Sequence, residues 1–149
     1  MSADFDDGVR SHIYGHFVRT GRAPLATEIA RDLAQPIATI QAALQRLHDA
    51  HGVVLDPSTG ELLMAHPFSA MPTAFRVEAA DQAWWANCIW DALGILAMLK
   101  QDGKVRTQCG CCGDEMTLTI RHRALSGNPR GVVHFAVPAR DWWRDIVFT

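Results

Sequence analysis

The stretch Trp84-Trp85-Ala86-Asn87-Cys88-Ile89-Trp90-Asp91-Ala92-Leu93 lies inside a long apolar run that extends from Asp81 to Lys100. The run contains no proline and one glycine, Gly94, and therefore predicts a buried helix. On that helix Cys88 and Asp91 are three residues apart and share one face. Apolar surroundings disfavour charge, so we expect a raised pKa for both side chains. The spacing leaves two interpretations open, a packing cysteine beside a surface carboxylate or a reactive pair.

Composition favours a globular chain of one compact domain or two small ones. The chain has 149 residues, 48% of them hydrophobic, and a formal net charge of −2. This balance gives no strong field toward nucleic acid or an anionic membrane. The acidic start of the chain is not typical of a secretory leader, and polar residues in the run from Asp81 make it a poor membrane span. We therefore expect no membrane partner.

Three of the four cysteines form the cluster Cys109-Gly110-Cys111-Cys112. Such clustering is not typical of an extracellular disulfide framework and predicts a reducing, cytoplasmic location. Zinc sites usually combine two Cys or His pairs from separate segments, but the nearest histidines, His122 and His134, are isolated in sequence. A closed structural zinc site is therefore disfavoured, and a role as soft-metal ligands stays open for Cys111 and Cys112.

Residues 1–68 predict a winged-helix-like accessory domain. Apolar periodicity and turn signals predict three helices followed by a hairpin. The helices are Gly8–Thr20, Glu28–Ala34 with Thr27 as N-cap, and one from Ile37 to Asp49; the hairpin strands are Val53–Leu55 and Glu61–Met64. A DNA reader needs a basic face, whereas residues 1–68 contain five Lys/Arg and eight Asp/Glu, and the third helix has one basic residue, Arg46. We therefore expect no DNA partner.

Residues 69–149 predict an α+β domain with a mainly antiparallel sheet. The segment from Ala65 to Ala74 is expected to be a linker, and the helix from Asp81 follows it. The later segments are the strands Lys104–Gln108, Glu115–Arg123 and Val132–Val137, the loop Ser126–Pro129 and a short helix, Ala139–Ile146.

The pair Cys88-x-x-Asp91, placed after three helices and a hairpin and before Val105-Arg106-Thr107-Gln108-Cys109, resembles the organomercurial (alkylmercury) lyase family. The resemblance covers nearly the whole chain. It implies that Cys88 binds mercury as a thiolate and that Asp91 carries protons, taking one from a thiol and delivering one to the leaving carbon. It also implies a structural role for Cys109. Trp84, Trp85 and Trp90 then either enclose the organic group or belong to the core.

The same resemblance implies mercury resistance through detoxification of a small organomercurial in the cytoplasm. Mercury is substrate and product, no resident cofactor is expected, and external thiols or a mercuric-ion acceptor protein would remove the product. The family's second mercury-binding cysteine would fall at about Thr149, where this sequence stops, so we expect the native chain to continue. Alternatively, Cys111 or Cys112 replaces it.

Two other functions stay open on sequence grounds. One is a winged-helix transcription regulator that senses metals or thiols through the cysteine cluster. The other is a non-catalytic member of the family that binds soft metals. A basic face on the third helix would favour the regulator, and a cavity that contains both Cys88 and Asp91 would favour the enzyme.

Overall fold

The computed structural model describes residues 3–127 and 131–147. The α-helices are α1 (Ala3–Thr20), α2 (Ala26–Asp32), α3 (Ile37–Asp49) and α4 (Ile89–Leu99), and a 3₁₀ helix spans Ala139–Arg144. The strands are β1 (Val54–Leu55), β2 (Leu62–Ala65), β3 (Phe68–Ser69), β4 (Arg76–Ala79), β5 (Gln82–Ala86), β6 (Gly103–Gln108), β7 (Glu115–Arg121) and β8 (Ala124–Ser126). The α+β prediction is confirmed.

The first three helices form where the apolar periodicity predicts them. Each buries one stripe of side chains, as in α3, where Ile40, Leu44 and Leu47 face the core. The N-cap predicted for α2 is wrong, because Leu25 and not Thr27 occupies that position. The Glu28 carboxylate accepts the Leu25 backbone N–H at 2.9 Å and so satisfies a helix-start donor in place of a threonine hydroxyl.

The strands form one antiparallel sheet in the order β1-β2-β3-β5-β4-β6-β7-β8. The predicted hairpin is confirmed as the pair β1 and β2. The segment predicted to be a linker instead contains β3, which pairs with β2 on one side and β5 on the other. The described sheet therefore continues across residue 68, while the division into domains 1–68 and 69–149 stays a prediction.

The prediction of one helix from Asp81 to Lys100 is wrong. Residues Gln82–Ala86 form β5, which pairs with β4 and places Trp84 opposite Val77. Trp84 is buried and Trp85 is only half-buried, so the two rings lie on opposite faces of the sheet. Adjacent aromatic residues favour strands, and a continuous apolar run does not distinguish a strand followed by a helix from one long helix.

One hydrophobic cluster joins the helices to the sheet. Phe17 of α1 stacks on Phe68 of β3 with ring centroids 5.0 Å apart, and Phe68 also contacts Trp84. The Trp84 indole N–H donates to the Phe17 carbonyl at 2.8 Å, across 67 residues of sequence. This cluster fixes α1 against β5, immediately before the segment that carries Cys88.

The last part of the chain follows the prediction only in part. The strand from Lys104 is confirmed, but the strand predicted for Glu115–Arg123 ends at Arg121, where His122 and Arg123 take positive φ values and turn the chain into β8. The predicted strand Val132–Val137 is wrong, because this segment is irregular and Val132 is 91% exposed.

The predicted helix Ala139–Ile146 is a shorter 3₁₀ helix, Ala139–Arg144. The predicted loop at 126–129 lies partly outside the described residues, as does the end of the chain at 148–149. Among the described residues, no helix is both long and apolar enough to cross a membrane.

Candidate functional site

Cys88 caps the N-terminus of α4. Its backbone is extended, with φ −150° and ψ 179°, and its Sγ accepts the backbone N–H of Asp91 at 3.4 Å. The thiol thus takes the place that a serine or threonine hydroxyl usually has at a helix start. The predicted proximity of Cys88 and Asp91 is therefore observed, but it results from capping geometry and not from two positions within one helix.

Asn87 positions the Asp91 carboxylate. The Asn87 side-chain N–H₂ donates to Asp91 Oδ2 at 3.0 Å and to the Phe68 carbonyl at 3.3 Å. Asp91 and Cys88 are both half-buried, and neither points away into bulk solvent. The amide therefore links the Asp91 carboxylate to β3, and the charge of that carboxylate acts on the Cys88 thiol.

Burial determines the electrostatics of this pair. Burial raises the pKa of the Asp91 carboxyl, and the hydrogen bond from Asn87 and the charge of His66 only partly offset that effect. Burial also raises the pKa of the Cys88 thiol, against the lowering effect of the Asp91 backbone N–H, while the Asp91 charge raises it further. The predicted direction is confirmed for both groups, and each of them holds its proton more tightly than in water.

Two neighbours of this site could not be found from the sequence. The Tyr14 hydroxyl of α1 donates to the His66 carbonyl at 2.7 Å, across 52 residues. Burial raises the pKa of the Tyr14 phenol, and the charge of Asp91 acts in the same direction. Neither Tyr14 nor His66 lies in a motif with Cys88, so only the packing of α1 against the sheet brings them near. Asn87, by contrast, is adjacent to Cys88 in sequence.

The three tryptophans of the quoted stretch do not form one wall. Trp84 is a core residue with 2% exposure, and the Arg76 guanidinium lies 4.5 Å from the ring centroid of Trp85. Trp90 is 60% exposed and makes an edge contact with Phe135 at 6.2 Å. Of the three, Trp90 alone follows Cys88 on α4.

A cavity of about 720 Å³ lies beside the start of α4. Its lining includes Ile89 and Leu93 of α4, together with Cys109 and Cys111 from the turn after β6. Cys88, Asp91 and the tryptophans are not among its described lining residues, so the expected common pocket is not observed. Ile89, the residue after Cys88, is one of the cavity's lining residues.

The cysteine cluster forms the turn between β6 and β7. Gly113 takes a φ of 76° and donates its N–H to the Cys109 carbonyl at 2.8 Å. Hydrogen bonds from the backbone N–H groups of Cys112 and Cys111 lower the pKa of the Cys109 thiol. Cys109 is half-buried, Cys111 and Cys112 are exposed, and all four cysteines of the chain are free thiols.

Comparison with known proteins identifies relatives of this fold. The family model of MerB, alkylmercury lyase, matches residues 68–149. The crystal structure of the mercury-bound form of MerB2 is similar with a TM-score of 0.66 and 17% sequence identity, over 82% of this chain. This chain spans 58% of the length of that one, and at this identity the likeness shows a shared fold. None of the curated proteins matches the chain.

Proposed function

Because the chain belongs to the alkylmercury lyase family, we propose that it cleaves carbon–mercury bonds by protonolysis, with Cys88 as the mercury-binding thiolate and Asp91 as the proton carrier. The observation that carries the proposal is the shared position of these two groups at the start of α4. Cys88 Sγ accepts the Asp91 N–H at 3.4 Å, and Asn87 holds the carboxylate beside it.

In the first step, the Cys88 thiol loses its proton to the Asp91 carboxylate and its sulfur binds the mercury of the organomercurial. Mercury is soft and prefers thiolate, which forms only when the thiol proton is removed. The raised pKa of Asp91 makes its carboxylate a stronger proton acceptor than an exposed aspartate. Mercury binding therefore leaves Asp91 protonated, and the next step uses that proton.

In the second step, the Asp91 carboxyl returns its proton to the carbon attached to mercury. The carbon–mercury bond breaks, a carbon–hydrogen bond forms, and the electron pair of the broken bond enters the new one. Mercury(II) stays on sulfur, and Asp91 is again a carboxylate. A second thiolate on mercury makes the carbon more basic, so that a carboxylic acid suffices as the proton donor.

The chain offers its own candidates for that second thiolate. Cys111 lies on the lining of the apolar cavity that Ile89 also lines, whereas Cys112 does not. We therefore propose Cys111 over Cys112 as the internal alternative, with an external thiol able to serve the same purpose and to remove the product. The cavity, which is lined by Phe75, Ile89, Leu93 and Leu118, would accommodate the organic group.

The regulator alternative requires a basic face on α3. Arg46 is the one Lys or Arg within Ile37–Asp49, a helix that is described in full. Its guanidinium makes two hydrogen bonds to the Asp6 carboxylate, at 2.7 and 2.8 Å. This charge is thus neutralised within the molecule, and the helix offers little to a phosphate backbone.

Two substitutions at the site should fail in different ways. Asp91→Asn keeps the thiol and accepts the Asn87 hydrogen bond, so we expect an arylmercury compound still to bind while cleavage falls by roughly a hundredfold or more. Cys88→Ser removes the soft ligand, so both bound mercury and cleavage should fall. Protein-bound mercury and released arene are measured separately on the same samples.

Cys112→Ser is the matched control, because it removes an exposed thiol outside the cavity lining. It should bind and cleave like the parent chain. Equal loss of mercury binding in Asp91→Asn and Cys88→Ser would contradict the separate roles and would instead support a non-catalytic, soft-metal-binding protein.

A further inference from the structure

A cluster of metal-ligating side chains lies far along the chain from Cys88, between α1 and α2. His12 and His16 are four residues apart on α1 and project from one face of the helix. Asp32, the last residue of α2, faces them, with its Oδ2 atom 3.5 Å from His12 Nε2. One nitrogen of each histidine and one Asp32 oxygen lie within 4.8 Å of one another.

His16 is the unusual member of this cluster. Its side chain is buried, with 6% exposure, and both ring nitrogens lack a hydrogen-bond partner among the described residues. His12 Nε2 is also buried and forms no hydrogen bond there, despite its proximity to Asp32. Buried polar nitrogens almost always have a partner. One such nitrogen from each histidine lies near the Asp32 carboxylate, and a metal ion would satisfy this pair of nitrogens.

Two arginines near the cluster are each paired with a carboxylate, and the pair with Asp32 leaves one Asp32 oxygen facing the histidines. The Arg31 guanidinium binds Asp32 Oδ1 at 2.8 and 2.9 Å, which leaves Oδ2 facing His12. The Arg22 guanidinium is bound by both carboxylate oxygens of Glu28, at 2.6 and 2.7 Å. In metal sites, a hydrogen bond to a ligating carboxylate, such as that from Arg31 to Asp32, commonly fixes the orientation of the ligand.

We propose that His12, His16 and Asp32 bind a divalent transition-metal ion of the zinc class and thereby fasten α1 to α2. Two imidazoles and a carboxylate form a common donor set for zinc, and a histidine pair at this helical spacing is a frequent part of it. Tetrahedral bonds of about 2.0–2.1 Å place ligand atoms about 3.3 Å apart, close to the His12–Asp32 separation. Small side-chain rotations close the wider gaps.

The donor set also excludes other occupants. Calcium and magnesium prefer oxygen ligands, and mercury prefers thiolate, which this cluster does not contain. The histidine nitrogens are buried, but the Asp32 side chain is 29% exposed and gives water a route to a fourth ligand position. The cluster lies outside residues 68–149, the part that matches the family model, and so stands independently of the proposed mercury chemistry.

Cobalt(II) is the probe of choice, because its visible absorption reports tetrahedral binding and a thiolate-to-cobalt band distinguishes cysteine ligands. We expect the 149-residue chain to bind one cobalt ion without a thiolate band, and stoichiometric zinc to displace it and raise the melting temperature. His12→Gln and Asp32→Asn each remove one ligand and should weaken this binding at least about tenfold. His122→Asn, which alters an exposed histidine in a turn, should leave it unchanged.

His12 and Asp32 are chosen for substitution because they are partly exposed, whereas loss of the buried His16 would itself disturb packing. Melting of the variants without metal, within a few degrees of the parent chain, shows that they are folded. The proposal is overturned if His12→Gln binds cobalt as tightly as the parent chain, or if thiolate-bound cobalt at the cysteine turn is the sole species formed.

Discussion

At the residue scale, the chemistry of the site depends on how one thiol and one carboxyl group are held. The sequence predicts the proximity of Cys88 and Asp91 and the direction of both pKa changes, because spacing and apolar surroundings are local properties. It does not predict that Cys88 is an N-cap, since cysteine is not among the preferred capping residues. Nor does it predict Tyr14 and His66, which approach only through tertiary packing.

The half-buried carboxyl group of Asp91 should lower the free energy of unfolding as pH rises. Its pKa is raised in the folded chain, whereas in the unfolded chain it lies at about 3.9. The folded state therefore binds this proton more tightly, and stability is lost as pH rises above the unfolded value. Asp91→Asn, which cannot ionise, should gain free energy of unfolding relative to the parent chain as pH rises above about 4.

Urea denaturation across that pH range measures the difference in free energy of unfolding between Asp91→Asn and the parent chain. This difference should level off above the pKa of Asp91 in the folded chain. Asp81→Asn, at an exposed turn position, serves as the control and should keep the pH profile of the parent chain. A difference for Asp91→Asn that stays constant with pH, or grows toward acid, would show that burial of Asp91 does not govern its titration.

At the element scale, the decisive feature is the division of the run from Asp81 into β5 and α4. β5 pairs with β4 over four residue pairs. The backbone N–H and C=O groups of residues 82–86 therefore form hydrogen bonds between strands, whereas in an uninterrupted helix they would bond within the helix. That choice depends on β4, a partner that no local pattern reveals. The strand β6, in contrast, is predicted from Lys104 to Gln108, one residue short of its start at Gly103, because its signals are local.

Gly103 lies where β6, β4 and α4 approach one another closely. A Cβ atom there would lie 2.5 Å from the Glu78 carbonyl oxygen and 2.7 Å from Leu96 Cδ2. Gly103→Ala should therefore lower the free energy of unfolding by about 1–3 kcal/mol through overpacking. Chemical denaturation measures this loss.

Gly8→Ala is the matched comparison for this substitution. Gly8 lies in α1 with nothing within 4 Å of an added Cβ, so alanine should raise stability by up to about 1 kcal/mol through its better helix propensity. If both substitutions changed the free energy of unfolding in the same direction, close packing at Gly103 would not be the cause of its effect.

At the scale of the whole molecule, the two sequence-predicted parts share a sheet and a hydrophobic cluster. The sequence predicts the elements of 1–68 well, because amphipathic helices and a hairpin carry short-range signals. It does not predict that β3 joins the hairpin to β5, or that Phe17 packs on Phe68. The irregular segment from Gly131 was misassigned because its valines alternate like a strand although β8 has already ended the described sheet.

The hydrogen bond from Trp84 to Phe17 tests this joint core. Trp84→Phe keeps an aromatic ring but removes one of the two hydrogen bonds that the Phe17 carbonyl accepts, the other coming from the Gly21 N–H at 2.8 Å, so it should cost about 0.5–1.5 kcal/mol. Since the core is shared, the chain should still unfold in one transition, with equal calorimetric and van't Hoff enthalpies. Trp90→Phe, at an exposed ring, should change stability by less than about 0.5 kcal/mol. Two separate transitions in the parent chain would contradict a shared core.

The most direct test of the proposed carbon–mercury chemistry is product analysis in heavy water. The 149-residue chain is incubated with a phenylmercury salt and excess thiol in D₂O, and the benzene released is quantified by mass spectrometry. We predict singly deuterated benzene formed by the parent chain well above the rate with thiol alone, and formation reduced to that background in Cys88→Ser. Cleavage by Cys88→Ser at the parent rate, or no benzene above background from the parent chain, would contradict the assignment of Cys88 and Asp91 as a lyase site.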